Sequence, residues 1–232
     1  MSGGSKPFLD WLARWEEGLP EEKLEEIVSD PVRVALASVD LTNGFCCEGP
    51  LASPRVAGII PATVRLFQRA YDLGVRHFLL PQDTHDADAL EFLAYPPHAV
   101  GGTSESDTVD ELKALPFSDS FSIIPKNSVS CDIGTDLDPW LDAHSRVTTF
   151  IVVGDCTDIC VYLMAMHLRL RANVLGVGDA RVIIPADCVQ TYDLSVEAAA
   201  QAGALPHDGD LLHSIFLYHM ALNGIEVVAH LA

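Results

Sequence analysis

The sequence predicts an α/β protein with a doubly wound (Rossmann-like), mostly parallel sheet flanked by helices. Apolar runs of strand length alternate with longer segments of helical periodicity over most of the chain. Residues 32–39 are mostly apolar, as in a central strand buried on both faces. Because parallel strands need crossover connections, the alternation itself predicts a parallel sheet with right-handed crossovers.

The chain is predicted to contain an N-terminal extension and one domain. Residues 1–30 form a helical extension, because Phe8, Trp11 and Trp15 recur at helical spacing and a second short helix fits residues 21–28. The remaining residues, 31–232, suit a single α/β domain. The chain is 49% hydrophobic, which is ample for one large core.

The elements of this domain follow from apolar periodicity and from breaker residues. Ser53 and Pro54 suit the start of a helix that Gly74 ends. A loop of about twenty residues follows the strand ending at Asp83, and such a length in a compact domain indicates function. Strands are predicted at residues 32–40, 75–83, 121–126, 148–153, 174–176, 182–186 and 226–228. Helices are predicted at residues 54–73, 106–114, 158–172, 196–202 and 210–222, with another short helix from Asp138.

The charge balance excludes several classes of partner. The chain has 33 acidic and 14 basic residues, and its net charge of -19 argues against nucleic acid and anionic membrane surfaces. No apolar run approaches the ~20 residues of a membrane span, and the N-terminus lacks the pattern of a secretion signal. Six cysteines at irregular spacing indicate reduced thiols in a cytoplasmic protein. We therefore expect a small-molecule partner.

Cys160 lies where a predicted strand turns into a helix. The strand ends near Gly154 and helical periodicity begins near Asp158, so Cys160 falls in the first helical turn. Unpaired N–H groups at a helix N-terminus favour a thiolate and can hold an oxyanion. Cys160 is therefore a candidate nucleophile, although a buried, inert cysteine explains the position equally well.

Two other predicted strands end in a charged residue. Asp40 follows the central strand, at the edge where open α/β sheets place their sites, and Lys126 ends the run at 121–126. A cysteine thiol needs a base, which Asp40 can be, and Lys126 can stabilise both the carboxylate and the thiolate. Taken singly, Asp40 also fits a turn cap and Lys126 a surface lysine. Together with Cys160 they indicate nucleophilic catalysis.

A second set of residues has the chemistry of a metal site. Asp83 and His85 lie two apart in extended chain and so point the same way, and His98 follows in the loop as a third ligand. Two imidazoles and a carboxylate leave coordination positions open, as catalytic sites do. The donors suit a divalent metal ion, zinc first, with iron or manganese as alternatives. An isolated Asp-x-His pair also fits polar loop residues that bind no metal.

These residues resemble the isochorismatase-like cysteine hydrolases. The resemblance covers residues 33–190 and rests on the order Asp, Lys, Cys and on the segment GDCTDICV at residues 154–161. It implies that Asp40 is the general base, Lys126 its electrostatic partner and Cys160 the nucleophile. It also implies a cis peptide between Asp155 and Cys156, and an oxyanion hole formed by the N–H groups of Cys156 and Cys160. A small apolar residue is common where Cys156 stands.

Two further segments are similar to the nicotinamidase branch of this family. They are residues 82–85, QDTH, and residues 95–103, YPPHAVGGT. In that branch the aspartate and both histidines bind a divalent ion that holds the pyridine nitrogen of nicotinamide. The resemblance assigns Phe45 and Tyr95 to the substrate pocket, although Phe45 also fits the core. Tyr95 and Thr84 depart from the Trp and the aromatic residue common there.

The expected function is hydrolysis of nicotinamide to nicotinate and ammonia through a Cys160 thioester, as part of NAD recycling. A different small amide or carbamoyl compound is the first alternative, and the set Asp83, His85 and His98 argues against it. A non-catalytic binding protein on the same fold is the second, and retention of all three candidate catalytic residues argues against that. A true isochorismatase is the least favoured. A homo-oligomer is a further expectation, since the flat sides of such domains often pair.

Overall fold

The computed structural model describes residues 4–232, and a parallel sheet lies at its centre. The strands are β1 (Glu21–Glu22), β2 (Val34–Val39), β3 (His77–Asp83), β4 (Ser122–Lys126), β5 (Thr149–Asp155), β6 (Arg181–Pro185), β7 (Val189–Gln190), β8 (Glu226–Val228) and β9 (His230–Leu231). In space the main sheet runs β4-β3-β2-β5-β6-β8, and the short β7 pairs with β5. Every one of these pairings is parallel, which confirms the predicted fold class.

The connections between strands are mainly helical. The helices are α1 (Lys6–Glu17), α2 (Leu24–Ile27), α3 (Asn43–Cys46), α4 (Pro54–Ala57), α5 (Ile60–Asp72), α6 (Asp110–Lys113), α7 (Leu137–Ala143), α8 (Cys160–Leu175), α9 (Val196–Ala202) and α10 (Gly209–Leu222). Short 3-10 turns occur at Pro31–Arg33, Leu90–Leu93, Ser104–Ser106, Ser118–Ser120 and Ala186–Cys188. Within residues 4–232, no helix is long and apolar enough to cross a bilayer.

Helices cover both faces of the sheet, which explains why β2 and β5 are buried along their whole length. On one face, Phe67 of α5 packs against Phe78 of β3 with ring centroids 5.2 Å apart. On the other face, Met164 of α8 and Leu217 of α10 are part of a second buried cluster. Full burial of a side chain of this size contributes roughly 1.5–3 kcal/mol, so Phe78→Ala should cost about 3–5 kcal/mol.

The N-terminal segment packs on the protein's own flank. The rings of Phe8, Trp11 and Trp15 on α1 lie 5.5, 5.4 and 5.8 Å from the ring of Tyr218 on α10. The following strand β1 forms a separate two-stranded sheet with β9, at the other end of the chain. Tyr218 of α10 therefore covers part of the aromatic face that the sequence predicted for residues 8–15, while Phe8 and Trp11 each remain 42% exposed.

Several predicted boundaries differ from the structure for local reasons. The strand predicted at residues 174–176 is wrong, because α8 continues to Leu175 and ends at Gly176, whose φ of 69° suits a left-handed cap. The helix predicted at 54–73 is two helices, since Pro61 has no N–H to donate and fits only the first turn of α5. The helix predicted at 21–28 is shortened to α2 because residues 21 and 22 pair with β9.

Candidate active site

The carboxyl ends of three neighbouring strands bring charged side chains together. Asp40 follows β2, Asp83 ends β3 and Lys126 ends β4, and the β3–β4 register places Asp83 directly beside Lys126. Each of the three residues is only 1% exposed. Charged groups are almost never buried to this degree unless they are paired. The three residues therefore form one electrostatic unit rather than a turn cap and a surface lysine.

Lys126 is the centre of this unit. Its Nζ lies 2.8 Å from Oδ2 of Asp40, contacts Oδ1 of Asp83 and is 3.3 Å from the carbonyl oxygen of Ser128. Asp40 accepts a hydrogen bond on Oδ1 from the backbone N–H of Asp83 at 2.7 Å. Nζ of Lys126 lies near Oδ2 of Asp40 but outside hydrogen-bond geometry. This oxygen can therefore still accept a hydrogen bond.

Cys160 begins α8, as the sequence predicted, and faces the same unit. Its Sγ lies 3.6 Å from Nζ of Lys126, and the residue is 6% exposed. The approach to this turn requires Gly154, because a Cβ there would lie 1.9 Å from the carbonyl oxygen of Val39. The structure thus joins Asp40, Lys126 and Cys160, which the sequence could connect only through their positions at strand ends.

The environment of Cys160 favours the protonated thiol, whereas a helix N-terminus alone favours the thiolate. Burial raises the pKa of Cys160 well above its ordinary value, and the charges of Asp40 and Asp83 raise it further against the opposing charge of Lys126. Ionisation of Cys160 therefore needs a base within the site.

Asp40 has the ionisation expected of such a base. Burial raises the pKa of Asp40 to about 6, with a further increase from the charge of Asp83 and an opposing effect of Lys126. Lys126 itself remains charged: burial opposes its charge, but Asp40, Cys160 and Asp83 hold its pKa well above the ordinary value. A carboxyl group with a pKa near neutrality can both accept and return a proton.

The turn between β5 and α8 has two backbone N–H groups free of backbone partners. The peptide bond between Asp155 and Cys156 is cis, as the family resemblance implies. Across the described part of the chain, the N–H groups of Cys156 and Cys160 donate no backbone hydrogen bond. Both belong to buried residues in the turn that carries the candidate nucleophile. Unpaired N–H groups in such a turn are potential donors to an oxyanion.

A cluster of metal-binding type lies next to the charged unit. One ligand atom each from Asp83, His85, Glu91 and His98 lies within 4.8 Å of all the others. Oδ2 of Asp83 is 3.5 Å from Nε2 of His85 and 3.6 Å from Nε2 of His98. Nε2 of His85 and Oε1 of Glu91 are both buried without a hydrogen-bond partner. Ligand atoms that converge without hydrogen-bond partners have the arrangement that can hold a cation.

Neighbouring groups set the orientation of both imidazoles. Nδ1 of His98 lies 2.8 Å from the carbonyl oxygen of Pro96, and Nδ1 of His85 lies 3.3 Å from Oδ1 of Asn127. Because these acceptors favour the proton on Nδ1, each Nε2 keeps a lone pair for a ligand bond. The carboxylate of Glu91 is also oriented by a neighbour. Its Oε2 accepts a hydrogen bond from the N–H of Val129 at 3.0 Å, which leaves Oε1 free to bind a metal ion.

Aromatic rings line the cluster. The ring centroids of Phe45, Phe92 and Tyr95 lie 5.5, 5.6 and 6.1 Å from that of His98. Phe45 also belongs to the buried core, as the sequence allowed, and its place in a substrate pocket stays a prediction. Burial raises the pKa of Tyr95, and the charges of Glu91, Cys160 and Cys156 raise it further.

Sequence reasoning missed Glu91, Asn127 and Phe92. Glu91 is one of several acidic residues in the long loop, and nothing in its spacing separates it from Asp86 or Asp88. Asn127 follows a predicted strand end directly, as Asp40 does, and this position is the one signal that could have identified it. Phe92 has no such signal.

The chain resembles a known protein family along most of its length. A profile of the Isochorismatase domain matches residues 34–208. Nicotinamidase 1 from Arabidopsis thaliana is 29% identical over 230 residues, which cover 91% of this chain and 92% of that protein.

Solved structures share the fold. A pyrazinamidase/nicotinamidase from Streptococcus mutans aligns with a TM-score of 0.65 at 25% identity, covering 84% of this chain and 99% of its own. A pyrazinamidase from Pyrococcus horikoshii, solved in complex with zinc, aligns with a TM-score of 0.64 at 22% identity, covering 84% of this chain and 98% of its own. Since the family profile spans most of the sequence, the chain belongs to the Isochorismatase domain family.

Proposed function

We propose that this protein is a metal-dependent nicotinamidase, which hydrolyses nicotinamide to nicotinate and ammonia. It is a cysteine hydrolase of the Isochorismatase family that acts on amides. One observation carries the finer proposal: a nucleophile, a base and a lysine lie against a buried donor set of two imidazoles and two carboxylates. A pyridine carboxamide offers a ring nitrogen to such a set and an amide carbon to the thiol.

Four side chains would hold the metal ion. Asp83, His85 and His98 supply the predicted donors, and Glu91 adds a carboxylate oxygen that is otherwise orphaned. Nitrogen and oxygen donors of this kind suit zinc, and also iron or manganese. The ion, when bound, would accept the lone pair of the pyridine nitrogen and so act as a template and weak Lewis acid.

Asp40 and Cys160 would carry the covalent steps. Asp40 takes the proton of the Cys160 thiol, and the sulfur forms a bond to the amide carbon, whose C=O π electrons move to oxygen. When the intermediate collapses, the C–N bond breaks and Asp40 returns its proton to the leaving ammonia. Asp40 then takes a proton from water, whose oxygen attacks the thioester carbon. Cleavage of the C–S bond releases the carboxylic acid, which ionises to nicotinate, and Asp40 returns its proton to the sulfur to restore the thiol.

The oxyanion of each tetrahedral intermediate would lie against the N–H groups of Cys156 and Cys160. Both are unpaired in the resting turn, so no existing bond has to break before they can donate. Lys126 would offset the negative charge that moves between Asp40 and Cys160, because its Nζ contacts both side chains. Phe45 and Tyr95 would pack against the pyridine ring.

The same site leaves room for a second candidate, hydrolysis of another small amide or carbamoyl compound. Tyr95 and Thr84 favour it, since both depart from the residues common in the nicotinamidase branch. We also propose that the enzyme works in the cytoplasm, in NAD recycling. The absence of disulfides among its six cysteines in the described structure supports this location.

Ammonia release from nicotinamide by the purified protein tests the proposal. Cys160→Ala and a chelator-treated sample should both lose activity, and added zinc should restore the treated sample. Cys47→Ala, which removes an exposed cysteine, is the matched control and should retain activity. A wild-type protein that binds metal but releases no ammonia from nicotinamide would overturn the assignment and leave the other small amides to be tried.

A further inference from the structure

Two buried side chains connect the active-site turn to the N-terminal helix. Thr157 lies in the turn between Cys156 and Cys160 and has no exposed surface. Its Oγ1 is 2.8 Å from Nδ1 of His213 on α10. Nε2 of the same ring faces Oε1 of Glu16 on α1 at 3.9 Å. The carboxylate of Glu16 on α1, the imidazole of His213 and the hydroxyl of Thr157 thus lie in a row that ends at the turn.

We propose that His213 is a positioning residue, which holds the turn of Cys156 and Cys160 through Thr157 and is itself oriented by Glu16. The proposal rests on the proposed function, because it gives a purpose to the two N–H groups of that turn. It also extends the active-site machinery beyond residues 34–208, the part matched by the family profile, since Glu16 and His213 lie on either side of it.

The protonation of His213 follows from its surroundings. Burial lowers the pKa of His213, so its ring is neutral at neutral pH and carries one proton. The Glu16 carboxylate beside Nε2 favours that proton on Nε2, which leaves Nδ1 to accept from the Thr157 hydroxyl. Glu16 is fixed in turn, since its Oε2 accepts a hydrogen bond from the hydroxyl of Ser214.

Thr157 is then held at two points. Its side chain donates to His213, and its backbone N–H donates to the carbonyl oxygen of Gln190 at 3.1 Å. Thr157 is bonded directly to Cys156. A movement of Thr157 therefore shifts the backbone of Cys156 and the direction of its N–H. Loss of the side-chain bond would leave a buried acceptor unsatisfied and allow the turn to move. The effect should fall on intermediates that need the N–H groups, not on substrate binding by the metal cluster and aromatic rings.

Paired variants at each end of the contact test this role. Thr157→Val removes the hydroxyl at nearly constant shape, and Thr157→Ser retains it. His213→Leu removes the acceptor, and His213→Asn keeps a polar atom near Nδ1. His219→Leu, an exposed histidine on the same helix, is the matched control.

With nicotinamide as substrate, Thr157→Val and His213→Leu should each lower kcat about tenfold with KM little changed, and Ser and Asn should retain most of it. The double variant should be no slower than either single one, because both remove the same contact. Amide hydrogen exchange in the peptide spanning 155–161 should quicken in the same two variants and stay unchanged in His219→Leu.

The two proposals fail in different ways. A wild-type protein inactive on nicotinamide would sink the proposed function, and hydrogen exchange alone would then decide the role of His213. Unchanged exchange at 155–161 in both Thr157→Val and His213→Leu would overturn that role, whatever the substrate. Multiplicative losses of kcat in the double variant would overturn it too, since the residues would then act independently.

Discussion

The active site consists of two halves that are held in place differently. The strand half consists of Asp40, Asp83 and Lys126, at the carboxyl ends of β2, β3 and β4, together with Cys160 at the start of α8. The loop half, His85, Glu91 and His98, lies after the end of β3, where single hydrogen bonds to loop atoms hold each side chain. Ladder hydrogen bonds support one another, whereas each loop contact stands alone.

The two halves of the site have different proposed tasks, catalysis in the strand half and substrate recognition in the loop half. In the proposed mechanism the strand half moves protons and charge, and the loop half chooses the ring that binds. Asp83 belongs to both, since Oδ1 contacts Lys126 while Oδ2 faces His85 and His98. Burial works against its charge, but Lys126 and the two histidines hold the pKa of Asp83 below its usual range. A substitution in one half should therefore leave the function of the other half intact, so that the two functions can be measured separately.

The largest effect is expected from Cys160→Ala. Removal of the nucleophile should lower kcat about 10⁴-fold, while the metal cluster remains complete. Ammonia release measures the first effect and metal content after gel filtration the second. Loss of metal together with activity would show that the two halves are not separable.

His98→Ala breaks the loop half instead. Loss of one imidazole ligand should weaken metal binding about 100-fold and raise KM for nicotinamide, with partial recovery at high zinc. Alkylation of Cys160 by iodoacetamide, followed by mass spectrometry, should proceed at the wild-type rate because Asp40 and Lys126 are untouched. His219→Ala is the control. If the alkylation rate fell as much as the activity, the loop half and the strand half would not be independent.

The pH profile tests the strand half without a mutation. Below its pKa of about 6, Asp40 holds a proton and cannot take that of Cys160, so kcat/KM should fall as pH decreases through this value. At one pH unit below it, about a tenth of the activity should remain. An acid limb near pH 4, the ordinary range of an aspartate, would mean that the pKa of Asp40 is not raised in the working enzyme.

The same division explains what the sequence could predict. Asp40, Lys126 and Cys160 were found because strand ends leave a pattern: an apolar run of defined length stops at one polar residue. The carboxyl ends of parallel strands then share one edge, so even their proximity followed. The distances of 2.8 Å from Lys126 to Asp40 and 3.6 Å from Lys126 to Cys160 are consistent with that reasoning.

In the loop half, the Asp-x-His spacing and the family resemblance predict His85 and His98, but nothing in the sequence predicts the loop geometry that adds Glu91. Glu91 reaches the metal cluster only because the turn Leu90–Leu93 folds back and Val129 fixes its second oxygen. Thr157 and His213 meet across 56 residues of sequence, and their contact depends on how α10 packs beside α8. The raised pKa of Cys160 also required the structure, since it comes from burial and from the charges of Asp40 and Asp83.

Glu91→Gln sharpens the comparison within the loop half. The change keeps the size of the side chain and an acceptor for the N–H of Val129 but removes the charge beside His85. Metal affinity should fall about tenfold, and kcat at saturating metal should stay near wild type. Competition with a chromogenic chelator measures the affinity, and Glu48→Gln, at an exposed position, is the control. An unchanged affinity would exclude Glu91 from the ligand set.

The smallest effect is expected at Tyr95, where ring area and hydroxyl can be separated. Tyr95→Phe keeps the ring that faces His98, whose centroid is 6.1 Å away, so KM for nicotinamide should change less than about threefold. Tyr95→Ala removes the ring and should raise KM about tenfold with kcat little changed. Steady-state kinetics on nicotinamide and on a pyridine carboxamide with a ring substituent distinguish the two. A large loss in Tyr95→Phe would mean that the phenol bonds the substrate, and the loop half would then select its substrate by polarity as well as shape.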